Sequence, residues 1–167
     1  AIQNILVAAN VTSQEVFDTT DKNSPQNQAL RWIAKEDPAK LPTDHHALLD
    51  RYILAVFYYS SNVESWGRLD NWMTEAGHCS WYGIQCVARD DEDQESGIST
   101  TYDDNDFITG IQLVDNGLEG TIPDEFGKLS NTLTMDLSDN ALSGSLPEFH
   151  ENLRYLMLPK NAFDGSI

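Results

Sequence analysis

Two cysteines, Cys79 and Cys86, lie close together in the stretch CSWYGIQC and are the only cysteines in the chain of 167 residues. Such a pair can form a disulfide, hold a metal, act as a redox couple or remain as free thiols. A redox couple is usually Cys-x-x-Cys, which this spacing does not match. A structural zinc site needs about four ligands, and only His78 lies nearby in sequence. A disulfide, free thiols and a metal clip remain open on the residues alone.

A second group with possible chemistry is acidic. Residues 90–106 contain eight carboxylates and no basic residue. Clustered carboxylate and amide oxygens suit a hard cation, so Asp103, Asp104 and Asp106 are candidate calcium ligands. The segment lacks the Asp-x-Asp-x-Asp-Gly loop pattern, however, and a solvated loop without any ligand is the alternative. A basic partner is a further possibility, and no other cofactor is predicted.

No catalytic constellation is visible. His45 and His46 have no nucleophile and acid at a recognisable spacing, and Ser60-Ser61 lacks the context of a nucleophile elbow. Phosphate-binding glycine loops and zinc-protease motifs are absent from the sequence. We therefore expect that the chain is not an enzyme.

The charge balance limits the partners. The formal net charge is -17, which repels the phosphates of nucleic acids and anionic membrane surfaces. No apolar run approaches the length of about 18 residues that a membrane-spanning helix requires. The chain is thus expected to bind no nucleic acid and to insert no segment into a membrane.

These groups must be positioned by a fold, and the clearest signal for one is a repeat. Asn116, Asn140 and Asn161 recur at spacings of 24 and 21 residues. Apolar residues stand five and three positions before and two and six positions after each asparagine, with glycine at the fourth. The apolar members are Ile111, Leu113, Leu118, Ile122, Met135, Leu137, Leu142, Leu146, Leu156, Leu158, Phe163 and Ile167. Thr132 stands where a further leucine is expected, and Leu133 beside it suggests a local shift or a looser second coil.

This pattern resembles the plant-type leucine-rich repeat, LxxLxLxxNxLxGxIP. The resemblance implies short parallel strands on successive coils, with a buried ladder formed by the three asparagines. We expect either further repeats or a neighbouring subunit to cover the last coil, since one repeat cannot bury its apolar face alone.

The residues before the repeats predict helices. Ser24 and Pro25 are typical of a helix start, and Pro38 ends that segment. A second helix follows, with Thr43 or Asp44 as its cap and apolar residues at helical spacing thereafter. Such a helical pair would cover the open first coil of a solenoid.

The stretch around the cysteines resembles the cap motif of plant-type extracellular repeat proteins, Trp followed by Cys-x-Trp-x-Gly-Val-x-Cys. Trp72, Trp81 and Gly83 match it, and Ile84 replaces the valine. The resemblance implies a disulfide between Cys79 and Cys86. The helical segments are most similar to those of secreted or surface repeat proteins of algae.

The predicted fold is an α/β solenoid: a helical N-terminal cap followed by right-handed leucine-rich repeat coils with a short parallel β-sheet. The predicted parts are an N-terminal arm or short helix, the cap with its disulfide, an acidic loop insertion and about three repeats. Their ranges are 1–23, 24–88, 89–106 and 107–167.

The resemblance implies a protein that is secreted or on the cell surface, because a disulfide needs an oxidising compartment. The sequon Asn10-Val11-Thr12 agrees with this and makes Asn10 a candidate glycosylation site. A protein or peptide ligand is expected on the concave sheet, at Gln112, Val114, Asp136, Ser138, Tyr155 and Met157. The alternative is a structural subunit of a larger extracellular or lumenal complex that contacts neighbouring subunits and depends on calcium.

Overall fold

A computed structural model of the protein describes residues 1–18, 21–87 and 107–164. The acidic insertion predicted at 89–106 lies outside these residues, together with Asp103, Asp104 and Asp106. None of the helices in the described part of the chain has the length and apolar character needed to cross a membrane.

The N-terminal residues form two short helices, α1 (Ile2–Ala8) and α2 (Gln14–Asp18). Leu6 of α1 is fully buried, and Phe17 of α2 is 4 % exposed. This part of the predicted arm is therefore folded against the remainder of the cap.

The cap continues with α3 (Pro25–Arg31), one π-helical turn (Trp32–Glu36) and α4 (Ala47–Ser60). Ser24 caps α3 as predicted, because its hydroxyl accepts a hydrogen bond from the Asn27 amide at 3.3 Å. Helix α4 begins later than predicted.

The late start of α4 has a local cause. Pro42 opens a turn in which its carbonyl accepts from the His45 amide at 3.0 Å. Thr43 and Asp44 lie within this turn, and the Nδ1 atom of His45 accepts from the Ala47 amide at 3.3 Å. Thr43 and Asp44 therefore belong to the turn before α4 and do not cap the helix.

Seven strands are described: β1 (Ile84–Val87), β2 (Phe107–Gln112), β3 (Glu119–Thr121), β4 (Thr134–Asp136), β5 (Ala141–Gly144), β6 (Tyr155–Met157) and β7 (Ala162–Phe163). One sheet has the order β1-β2-β4-β6, with β1 antiparallel to β2 and the other pairs parallel. The second sheet has the parallel order β3-β5-β7 and was not predicted. Helices followed by stacked short parallel strands confirm the predicted fold class.

The repeat core is built from the expected inward residues. Ile111, Leu113, Leu137 and Leu142 are fully buried. Thr132 is also buried, at 2 % exposure, while Leu133 is 37 % exposed. The register therefore does not shift at this position, because the Thr132 hydroxyl donates to the Ile108 carbonyl of the preceding coil at 3.3 Å.

One apolar core joins the cap to the repeats. Phe57 of α4 meets Phe126, in the 3-10 turn Asp124–Lys128 of the first coil, with ring centroids 4.5 Å apart. Both rings are almost completely buried. The helical cap thus covers the first coil, as the exposed end of a solenoid requires.

Candidate recognition surface

Four of the predicted binding residues lie on strands of the four-stranded sheet, and two lie just after β2 and β4. We call the set the recognition face: Gln112, Val114, Asp136, Ser138, Tyr155 and Met157. Strand register aligns Gln112 with Asp136 and Asp136 with Met157 across β2, β4 and β6. Side chains on the strands at these positions alternate with the buried ladder, so Gln112, Tyr155 and Met157 are exposed.

Three apolar members of this face are exposed. Tyr155 is 63 % exposed, and Val114 and Met157 are each 40 % exposed. Exposed apolar side chains are unremarkable singly, but Tyr155 and Met157 are neighbours on one face of β6 and form a small patch that can bury area against a partner. Val114 follows β2 and is separated from this patch by β4.

Ser138 differs from its prediction as a contact residue. It is only 8 % exposed, and both its amide and its hydroxyl donate to Oδ1 of Asp136. The chain folds back after β4, and the Asn140 side chain donates to the Ser138 carbonyl at 3.0 Å. Ser138 therefore holds Asp136 in place rather than offering a free hydroxyl.

The margin of the recognition face is acidic. Asp115, Asp139 and Lys160 occupy equivalent positions before the ladder asparagines, with φ of 48°, 57° and 57°. Lys160 is paired with Asp139 at 2.5 Å, and this hydrogen bond and the carboxylate charge raise the pKa of the lysine. The pairing offsets one negative charge and leaves Asp115 and Asp136 as carboxylates beside the apolar patch.

The three repeat asparagines bond to the backbone of neighbouring segments. Asn140 accepts from the Asn116 and Leu118 amides at 3.0 and 2.9 Å and donates to the Leu113 and Leu137 carbonyls at 2.8 and 2.9 Å. Asn161 makes the equivalent bonds one coil later, to the Leu142 amide and the Leu137 and Leu158 carbonyls.

Asn116 has no preceding repeat and bonds to the cap instead. Its side chain accepts from the Arg68 amide at 2.8 Å and donates to the Arg68 carbonyl at 3.0 Å. The backbone of the cap at Arg68 thus takes the place of a preceding coil in bonding to Asn116. These bonds hold the first repeat, with β2 and its recognition residues, in register.

The two cysteines are joined. Cys79 and Cys86 form a disulfide, as the cap resemblance implies, and neither is a free thiol. Their sulfur atoms and an imidazole nitrogen of His78 lie within 4.8 Å of one another, but sulfurs engaged in a disulfide do not act as thiolate ligands. The metal-clip and free-thiol alternatives therefore do not describe this structure.

A buried guanidinium organises the cap and was missed by the sequence analysis. Arg51 is fully buried and bonds to both carboxylate oxygens of Asp37, at 2.9 and 2.5 Å. It also donates to the Thr74 and Ala76 carbonyls, each at 2.9 Å. The spacing of Arg51 on an otherwise apolar helical face was the available signal, because such a charge must find partners.

A second buried polar group joins distant segments. The Thr12 hydroxyl donates to Oε1 of Glu125 at 2.9 Å and lies 3.0 Å from the Tyr52 hydroxyl. The side chain of Gln26 donates to the other oxygen of Glu125 at 3.2 Å. These contacts tie α3, α4 and the turn between α1 and α2 to the first coil. Burial also raises the pKa of Tyr52.

Asp50 of α4 is a carboxylate in an unfavourable environment. Burial raises its pKa, and the nearby His78, whose Nε2 atom lies 3.9 Å from Oδ2, lowers it by a smaller amount. His78 is fully buried. The pair lies in the cap and away from the recognition face, so it bears on stability rather than on ligand contact.

Comparison with known proteins identifies the cap. Residues 42–87 match the family model described as leucine rich repeat N-terminal domain. This segment includes α4, both cysteines and β1.

Relatives with the same pattern come from Arabidopsis thaliana. Pollen receptor-like kinase 6 is 35 % identical over 106 residues, covering 60 % of this chain and 14 % of that protein. Pollen receptor-like kinase 3 is 32 % identical over 119 residues, covering 68 % of this chain and 16 % of that protein. The chain therefore spans only a small part of these relatives, and their flowering-plant origin does not support the predicted algal affinity.

A solved structure shares the fold. The BIR2 ectodomain from Arabidopsis thaliana superposes with a TM-score of 0.50 and 26 % identity, covering 71 % of this chain and 58 % of that one. The matched regions are repeat domains, which are not catalytic. The chain therefore carries a plant-type leucine-rich repeat cap followed by leucine-rich repeats, similar to the ectodomains of plant receptor-like kinases.

Proposed function

We propose that the chain is a non-enzymatic recognition module of a secreted or cell-surface leucine-rich repeat protein, and that it binds a protein or peptide through the recognition face. The observation that carries this proposal is the exposed apolar pair Tyr155 and Met157 on β6, which shares one sheet face with β4 and with Val114 just after β2. An exposed sheet face of this kind suits an extended polypeptide, whose side chains can contact successive strands.

The surroundings of the patch favour a particular partner. Asp136 on β4 is the register neighbour of Met157, and Asp115 directly follows Val114, within a chain of net charge -17. Complementary charge accelerates association and excludes acidic competitors. The best-matched ligand is a segment that combines apolar or aromatic side chains with lysine or arginine.

The proposed location rests on the cap. Its disulfide and its match to the leucine-rich repeat N-terminal domain support an extracellular environment. The matched receptor-like kinases support a role in recognition at the cell surface.

The face can be tested with a matched pair of variants. Met157 and Leu69 are both 40 % exposed, but Leu69 lies in the loop after α4 and outside the recognition face. Affinity capture from native extracellular material, with mass spectrometry, would compare Met157→Ser and Leu69→Ser with the original protein. A partner retained by Leu69→Ser and lost by Met157→Ser supports the proposal, whereas partners that both variants keep equally contradict it.

One observation favours a second function, that of a structural subunit. Leu146, Leu156, Leu158 and Phe163 line an apolar cleft of about 590 Å³ at the end of the described coils. A neighbouring subunit could bury this surface in a larger assembly. Native mass spectrometry that shows the isolated protein as a stable monomer at micromolar concentration would exclude self-assembly through the cleft.

Calcium dependence remains part of this second proposal. Its candidate ligands are Asp103, Asp104 and Asp106. A calcium titration that leaves the melting temperature and the native mass unchanged would remove it.

A further inference from the structure

The sequon Asn10-Val11-Thr12 lies in the turn that ends α1. The Asn10 amide donates to the Val7 carbonyl and the Val11 amide to the Leu6 carbonyl, both at 3.0 Å. Asn10 has φ of 54°, the left-handed conformation that closes a helix in this way and that asparagine tolerates better than most residues. The Asn10 side chain is exposed.

The third residue of the sequon, Thr12, is buried, in contrast to the exposed Asn10. Thr12 is 4 % exposed, and its hydroxyl is the atom that bridges Tyr52 and Glu125. Because the Glu125 carboxylate only accepts, Thr12 donates to it, and the Tyr52 hydroxyl then donates to Thr12. The single donor of the Thr12 hydroxyl and one of its two lone pairs are therefore engaged.

A sequon accepts serine or threonine at this position, and the two residues share a hydroxyl on Cβ. The glycosylating enzyme must therefore read that hydroxyl. In the folded protein it can do so only if the segment after α1 separates from α4 and from the first coil.

We propose that Asn10 is N-glycosylated, and that modification occurs only before the N-terminal helices dock on the cap. The order follows from one atom with two successive partners: the Thr12 hydroxyl serves first as the recognition element of the enzyme and then as the bridge between Tyr52 and Glu125. This inference depends on the extracellular route proposed above, but not on the recognition face.

The folded structure accommodates the product although it excludes the reaction. Asn10 is exposed and lines an open cavity of about 470 Å³, to which Lys128, Asn131 and His150 of the repeats also contribute. Because Asn10 is exposed and Thr12 is buried, a sugar on Asn10 does not need to displace the Thr12 hydroxyl. Polar groups of the cavity can hydrogen-bond to its hydroxyls.

The test compares one tripeptide in two settings. A flexible Gly-Ser tail carrying a second Asn-Val-Thr is added before Ala1, and the unglycosylated protein is purified in its folded, oxidised form. It is then incubated with purified oligosaccharyltransferase and a lipid-linked oligosaccharide. The same sequence is also translated in the presence of microsomes, and mass spectrometry of peptides assigns the sugar to each site, with Asn10→Gln as the assignment control.

We expect both sites to be modified during translation into microsomes. In the folded protein the tail should be modified, and Asn10 at least about tenfold more slowly, because the hydroxyl is reachable only during local opening. Equal rates at the two sites in the folded protein would show that docking does not protect Asn10. Modification of the tail alone in microsomes would show that Asn10 is not a site at all. Either result overturns the inference and leaves the proposed recognition function untouched.

Discussion

At the scale of single residues, the cap depends on one fully buried charged side chain, that of Arg51. The guanidinium of Arg51 lies between the rings of Trp32 and Trp81, 5.4 and 4.9 Å from their centroids. Its ion pair with Asp37 has side-chain exposures of 0 % and 2 %. Such a pair adds little over an apolar substitute, but the loss of one partner leaves the other charge buried and unpaired.

We therefore expect Asp37→Ala to destabilise the protein by about 3–5 kcal/mol. The measurement is the free energy of unfolding from urea denaturation. Glu36→Ala is the control, since Glu36 pairs with Arg31 at 3.9 Å and both side chains are about half exposed. The control should change stability by less than about 1 kcal/mol. Similar losses of stability in the two variants would mean that the buried ion pair contributes no more to stability than the exposed one.

The burial of Asp50 predicts a pH dependence. A carboxyl group whose folded pKa lies above its unfolded value destabilises the fold once it ionises. This penalty is absent below the unfolded value of about 3.8 and is complete above the folded pKa. Asp50→Asn should therefore be more stable than the original protein at pH 7, and the difference should shrink as the pH falls towards 4.

Urea denaturation at several pH values would measure this difference, with the exposed Asp44→Asn as the control. The Asp44 variant should follow the original protein across the range. If Asp50→Asn is less stable at pH 7 than at pH 4, relative to the original protein, the contact between Asp50 and His78 outweighs desolvation.

What the sequence could reveal at this scale depended on local pattern. The Ser24 cap was predictable because its partner lies three residues away, and the disulfide was implied by the resemblance to the cap motif. The Thr12 bridge was not, since its partners Tyr52 and Glu125 are 40 and 113 residues away. Only the fold brings such groups together, and a lone threonine carries no signal of its future contacts.

At the scale of elements, the coils are joined by asparagine side chains as well as by strand pairing. Asn140 lies in the middle of this ladder and bonds to the backbone of its own coil and of the preceding one. Asn161 has fewer bonds and lies in the last described coil. The middle asparagine therefore holds more of the structure in register.

We expect Asn140→Leu to destabilise the protein by at least about 2–3 kcal/mol, since several backbone groups lose their partners together. Asn161→Leu should cost less, and Asn131→Leu, at an exposed position, should be nearly neutral. Free energies of unfolding would rank the three variants. Equal effects at positions 140 and 131 would show that water replaces the ladder bonds.

Elements were predictable where a repeat or a helical period exists in the sequence. The parallel strands follow from the alternation of apolar residues, and α3 follows from its cap. The start of α4 was missed because Pro42 diverts Thr43 and Asp44 into a turn. The second sheet was missed because its strands are only two to four residues long and do not alternate in polarity.

At the scale of the whole molecule, cap and repeats share one core. The buried cluster includes Leu6 of α1, Phe57 of α4, Phe126 of the first coil and Leu142 of the second. A cap that contacted the repeats without sharing a core with them could unfold independently. A continuous core instead predicts that the described parts unfold together.

Phe126→Ala tests this continuity because its ring joins the two parts. Removing a fully buried phenylalanine should cost about 3–5 kcal/mol. Phe163→Ala, at a half-buried ring in the last described strand, should cost less. All four tryptophans lie in the cap, so their fluorescence reports cap unfolding, while hydrogen exchange of residues 134–144 reports the second coil.

In the original protein the two probes should give the same denaturation midpoint. In Phe126→Ala both midpoints should fall, and they should fall together if other contacts, including the Thr12 bridge, still connect the parts. Separate midpoints in the original protein would mean that the cap is an independent unit. The recognition face would then gain no rigidity from the helices, and variants in the cap, such as Asp37→Ala, would leave ligand binding unchanged.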